Sequence, residues 1–140
     1  MCFESVTVSG VESSLQASKF GNYTKLANVT QGDRPVYQRV GSTVACLFYW
    51  PSTSDWNIGS SYISGSSSVR STGSAGAACP DQATGWEVAT SSGWVSTYPI
   101  TVVPTSATTA PPTNVGELSH YVRMHVGVPR HVRSLSASAA

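Results

Sequence analysis

The segment Thr43–Trp50 is apolar on both of its faces. Strand alternation sets Val44, Cys46, Phe48 and Trp50 on one side, and Ala45, Leu47 and Tyr49 on the other. Such a strand must be covered on each side, so it belongs in the middle of a sheet rather than at an edge. Its surroundings read as further strands. Phe3–Ser9 alternates with β-branched residues, a second strand opens at Phe20 and runs to about Val29, and Arg34–Val40 is a third. The proline at position 35 puts that end at a strand start or an edge. Gln31-Gly32-Asp33 is a turn, and Gly41-Ser42 is a candidate two-residue hairpin.

Beyond Trp50, Pro51–Asp55 turns the chain into a strand at Trp56-Asn57-Ile58-Gly59. From Gly59 to Ala78, Ser and Gly supply 12 of 20 residues, too polar and too small to build a core. An irregular loop is expected there, broken by a short strand at Val69-Arg70-Ser71. Gly85–Thr90 and Trp94–Tyr98 form a last hairpin. With Ser91-Ser92-Gly93 as its loop, Trp86 would face Tyr98. Ile100–Val103 closes the set. The expected fold is all-β: a small antiparallel sandwich or open barrel of about seven to nine short strands, carrying an irregular Ser/Gly-rich loop. Val11–Ser18 reads as either a helical turn or a loop.

Residues 1–103 are the β module, 104–113 a Thr/Pro-rich linker, and 114–140 a tail of different character, disordered or the start of a next segment. The tail holds His120, His125 and His131, but without an ordered scaffold their spacing makes no metal site. No metal and no cofactor is expected.

Charged residues are 11% of the chain, against roughly 25% in an average globular protein. A net charge of +1 gives no electrostatic reason to expect nucleic acid. No apolar run reaches the roughly 18 residues of a membrane span. The module has no histidine and no Gly-X-Ser-X-Gly elbow, so a nucleophile would lack a base. Asp33, Asp55 and Asp81 fall at turns, where Asp bonds to local backbone. The chain therefore reads as a non-enzyme.

Asn22-Tyr23-Thr24 and Asn28-Val29-Thr30 make Asn22 and Asn28 candidate N-glycosylation sites. Cys46 and Cys79 bracket the Ser/Gly loop and are the candidate disulfide, worth on the order of 3 kcal/mol for such a loop. Cys2 would then be free or paired elsewhere. The competing expectation is three reduced, buried cysteines. Met1-Cys2-Phe3-Glu4 is not a signal peptide, although the body reads as secreted, so a piece of a larger extracellular protein or a truncated gene product is expected.

The rings are the best functional material. Trp and Tyr offer flat apolar faces with a polar edge, suited to stacking on a sugar ring. Trp56 and Trp94 stand beside turns and Tyr62 at the mouth of the Ser/Gly loop, so these three are the candidate ligand-binding residues. Trp50 and Trp86 are assigned to the core.

Val-Thr-Val-Ser-Gly (6–10), Gly-Asn-Tyr (21–23), Arg-Pro-Val-Tyr (34–37), Leu-Phe-Tyr (47–49), Trp-Asn-Ile-Gly (56–59), Cys-Pro (79–80), Gly-Trp (85–86) and Trp94 follow one another in an order that resembles a small β module. That module is repeated in extracellular and surface proteins of algae and other protists. The likeness spans about residues 3–103. It implies an extracellular or cell-surface setting and brings no activity with it. The leading expectation is a non-catalytic recognition or adhesion module for glycans or other surface proteins. A structural spacer of a cell-surface or wall protein is the alternative, and a minor hydrolase ranks last.

Overall fold

The computed structural model describes residues 1–10, 16–73 and 75–106. Residues 11–15 of the ambiguous stretch Val11–Ser18, the histidine tail and most of the linker lie outside them; the end of that stretch enters a 3-10 turn at Ala17–Lys19. Among the described residues there are nine strands: β1 Ser5–Ser9, β2 Gly21–Gln31, β3 Arg34–Arg39, β4 Cys46–Trp50, β5 Asp55–Gly59, β6 Val69–Ser71, β7 Trp86–Thr90, β8 Gly93–Val95 and β9 Thr101–Pro104. Two single 3-10 turns, Ala17–Lys19 and Pro80–Gln82, are the helical elements among the described residues.

All strands join one antiparallel sheet in the order β8-β7-β6-β5-β4-β3-β2-β1-β9. The two-faced strand β4 is its midpoint. Topology forces this sheet to curl. Its outer strands, β8 and β9, are consecutive in sequence and joined by residues 96–100 alone. That connection spans at most about 21 Å. Eight strand spacings laid flat would separate the same strands by about 38 Å. The chain reconciles the two lengths by rolling into a half-barrel, the open-barrel form of the expected fold. β9 then pairs with β1, Val6 opposite Pro104 and Ser9 opposite Thr101.

The turns follow from their residues. Gln31 and Arg34 pair across Gly32-Asp33, whose φ angles are 57° and 59°. Both central residues are left-handed, as a type I′ hairpin requires. On β2 the register slips between Lys25 and Thr30, so residues 26–29 bulge out opposite Val36 alone. Asn28, a residue tolerant of the left-handed region, has φ 59° in that bulge.

Two hairpins depart from the sequence expectation. Gly41-Ser42 is not a two-residue loop: β3 stops at Arg39, and β4 begins at Cys46 after a longer connection closed by the Arg39 amide on the Ala45 carbonyl at 2.9 Å. The last hairpin turns on Ser91-Ser92, with Thr90 opposite Gly93 and Val88 opposite Val95. A one-residue slip exchanges the faces of a strand. The observed register keeps the fully buried Val88 inside and turns Trp94 outward. Trp86 is thus not paired with Tyr98, which lies past β8 and packs against the core.

Inside the curl, Val6, Val8, Tyr23, Tyr37, Leu47, Tyr49, Trp56, Ile58, Val69 and Val88 form the main core with Trp86. The other side of β4 carries a satellite cluster of Val36, Cys46 and Phe48, covered by Leu26 and Val29 from the bulge and by Trp50 and Tyr62. Each face of β4 is thus covered by different material: the rolled sheet within, and the bulge and Ser/Gly loop without.

Two core tyrosines carry hydroxyls in the interior. Tyr23 donates to the Lys19 carbonyl at 2.6 Å and Tyr37 to that of Phe3 at 2.9 Å. Burial raises both phenols. Arg39 opposes this at Tyr23, Asp81 and Glu4 add to it at Tyr37, and the Tyr37 phenol is pushed up to about 12. An unfolded tyrosine ionises near pH 10, so the unfolded chain releases these protons first. Their contribution to stability is complete below pH 10 and is lost as pH rises through the folded values. Chemical denaturation at pH 9, 10.5 and 11.5 should show stability falling by about 1 kcal/mol per pH unit for each group above pH 10. Tyr37→Phe should flatten that decline, and an unchanged slope would refute the assignment.

Candidate functional site

The outer face of strands β4 to β8 carries an open cleft of about 310 Å³. Its position follows from strand register. Trp50 lies opposite Asp55, Asn57 opposite Arg70, and Arg70 opposite Glu87. Residues directly opposite share a face, so these side chains stand together outside the curl. Trp94, opposite Ala89, adds a ring from β8 on the same side. Trp50 and Trp94 thus flank a floor made by Asp55, Asn57 and Arg70.

Each wall is held in place. Arg70 donates from Nε to Glu87 Oε2 at 3.0 Å, and its guanidinium carbon stands 4.2 Å from the centre of the Trp94 ring. The ion pair fixes the arginine and the cation–π contact fixes the ring. Trp94 is still 37% exposed. Trp50 makes an edge contact with Phe48 at 6.2 Å between ring centres, and the Ser/Gly loop lies against its indole. A Cβ placed on Gly65 would come within 2.8 Å of that ring, so only glycine admits the approach. Ser66 and Ser67 continue the wall. Asn57 is nearly buried and bonds the Asp55 carbonyl from Nδ2 at 3.3 Å. The Asp55 carboxylate and the two Arg70 amino groups have no hydrogen-bond partner among the described residues.

The arrangement offers a mixed set of apolar and polar contacts. Flat apolar rings are exposed on two sides, and between them stand an acceptor-only carboxylate, a planar amide and a planar donor. Among the described residues, no group of three or more His, Cys, Asp or Glu side chains converges as a metal site would require. A larger groove of about 430 Å³ follows the seam where residues 96–103 pass 83–86, but its lining is mostly apolar and lacks such a convergent polar set.

No protein-family model matches the chain, and neither a curated protein nor a solved structure resembles it at a significant level.

The residues singled out in the sequence are dispersed by the fold. Trp94 lines the cleft. Tyr62 does not: it is half-buried on the satellite cluster, covering Cys46 and Phe48. Trp56 is fully buried in the main core, its indole N–H bonded to the Ala77 carbonyl at 3.1 Å, so it cannot touch a ligand. Alternation explains the difference, because Trp56 points into the curl while its neighbours Asp55 and Asn57 point out. Trp50, assigned to the core by sequence, is only partly buried and lines the cleft, whereas the ligand-binding candidate Trp56 does not. Asp55 had been read as a turn residue; it does begin β5, but it also faces the cleft.

The disulfide also differs from expectation. Cys79 is bonded to Cys2, with their Cα atoms 5.4 Å apart, and Cys46 is a buried free thiol. Cys46 sits on the outer face of β4 under Tyr62. The segment 77–83 instead lies against the inner face, where Ala77 meets Trp56 and Arg34, and Ala83 joins the main core. The sheet itself separates the expected pair. Burial pushes the Cys46 thiol up, against the lowering influence of the Tyr62 amide and Lys19, which leaves it a poor nucleophile. Asn22 and Asn28 are both exposed. Asn22 is tied to the Thr7 hydroxyl, which donates to its Oδ1 at 2.9 Å, while Asn28 stands on the bulge.

Proposed function

We propose that this protein is a non-catalytic recognition module that binds glycans in the cleft between Trp50 and Trp94. The observation that carries the reading is the pair of partly exposed indoles flanking Asp55, Asn57 and Arg70. A pyranose has an apolar face of C–H bonds and a rim of hydroxyls. Indole rings suit the first, and planar amide, carboxylate and guanidinium groups suit the second. A spacer would have no use for rings held at the surface by an ion pair and a glycine contact. The cleft's lining reaches from Trp50 on β4 to Trp94 on β8, which suits a short oligosaccharide.

The bridge between Cys2 and Cys79 fits an oxidising compartment. No helix among the described residues is long and apolar enough to cross a membrane. With two exposed sequon asparagines, these features support the extracellular or cell-surface setting that the resemblance to the algal and protist module implies.

The test is binding to an oligosaccharide array by wild type, Trp50→Ala, Trp94→Ala and Tyr62→Ala. Stacking contributes about 0.5–1.5 kcal/mol per ring beyond area burial, so each cleft variant should lose roughly threefold to tenfold or more in affinity. Tyr62→Ala should bind like wild type once its folded fraction is matched. Absence of binding to every glycan, or binding indifferent to both tryptophans, would discard the reading.

A further inference from the structure

Resting on the glycan reading of the cleft, we infer that Asp55 makes this site select neutral saccharides and reject carboxylated or sulfated ones. The fixed charges decide it. Among the described residues, Arg70 is the one cation lining the cleft, and it is already paired with Glu87 at 3.0 Å. Asp55 lines the same cleft, and its carboxylate has no ion-pair partner among the described residues. Arg70, Glu87 and Asp55 together therefore leave one uncompensated negative charge at the floor. An incoming uronate or sulfate ester would meet that charge while competing with Glu87 for Arg70. A neutral sugar meets neither obstacle. Its hydroxyls can donate to the Asp55 oxygens and accept from the unused Arg70 amino groups. The same charge would not repel a cationic group, so the discrimination is against anions.

Like charges a few ångströms apart in a partly solvated cleft change affinity by roughly tenfold. Asp55→Asn keeps the shape and removes the charge. No partner of the carboxylate is lost with it, and the Asp55 carbonyl that holds Asn57 remains. The variant should therefore fold, which its thermal unfolding will show.

The experiment uses the full chain on an array of neutral oligosaccharides of several linkages, each printed beside its own C6-carboxylate derivative. Wild type should hold the neutral members at least tenfold more tightly than their derivatives at 50 mM salt. That ratio should shrink as salt is raised to 500 mM, because screening weakens the repulsion. Asp55→Asn should narrow the ratio mainly by improving binding of the carboxylates. Equal or tighter binding of the carboxylates by wild type, or a ratio that Asp55→Asn leaves unmoved, would overturn the inference while the glycan reading stands. Failure to hold any member of the array would remove the glycan reading and this inference with it.

Discussion

Cys2→Ser is expected to lower the unfolding free energy by about 4 kcal/mol, the chain-entropy value for a crosslink between residues 77 apart in sequence. For a domain of this size such a loss corresponds to a fall in Tm of roughly 15–30 °C. The effect is large because of where the bridge acts. Cys2 precedes the first strand, and Cys79 belongs to the segment that lies against the inner face of the curl. Without the bridge, that segment keeps its bonds from Arg34 and Trp56 to the Ala77 carbonyl but loses its covalent tie. Cys79→Ser should match Cys2→Ser, and reducing the wild type should reproduce both. Cys46→Ser should not follow them, since it changes only a small buried contact on the opposite face. Thermal unfolding of the three variants with and without reductant is the measurement. Equal sensitivity to Cys46→Ser and Cys2→Ser, or no response to reductant, would refute the assigned pairing.

Trp56→Ala carries the second large effect, about 3–5 kcal/mol of destabilisation. The side chain is fully buried, stands 5.8 Å from Tyr49 in an edge contact, and bonds Ala77 through its indole N–H. Its removal leaves a cavity in the middle of the core and takes one of two donors from the Ala77 carbonyl, which Arg34 alone would then hold. Small domains have only about 5–15 kcal/mol of stability, so the variant should be marginal near room temperature. Trp94→Ala supplies the contrast: its ring is at the surface, and the loss should stay within about 1 kcal/mol. Denaturant titration of the pair separates a core tryptophan from a cleft tryptophan without any ligand. Comparable losses in both would contradict the assignment of faces.

Period-two patterning made much of the fold legible. The two-faced strand, expected over Thr43–Trp50 and formed over Cys46–Trp50, its central position and the strand at Val69–Ser71 all follow from alternation and composition. What escaped depended on register and curl. Whether Ser91-Ser92 or Ser91-Ser92-Gly93 made the loop could not be read from local residues, yet it decides which way Trp94 points. The cysteine pairing depended on the sheet lying between positions 46 and 79. At the cleft, nearness to a turn was a poor guide to exposure. Trp56 follows a turn and is buried, whereas Trp50 precedes one and is half open. The better signal was parity along the strand: Trp50 shares a face with Cys46 and Phe48, and Asp55 and Asn57 share the face opposite to Trp56. Joining those parities across β4 and β5 would have placed Trp50 beside Asp55, but only a known strand pairing permits that step.

The pairing of β1 with β9 has a mechanical consequence. Val6 and Pro104 are antiparallel partners, so the chain enters and leaves the barrel at neighbouring points. Within a longer chain, a unit built this way would hang to one side and add almost nothing to the reach. Tension along the chain would peel β9 from β1 one hydrogen bond at a time, in the weak unzipping direction. Pulling from the N-terminal side, the load would pass through Cys2 to Cys79 before it reached the middle of the sheet. The Trp50–Trp94 cleft lies on strands β4 to β8, outside the pair that would open first.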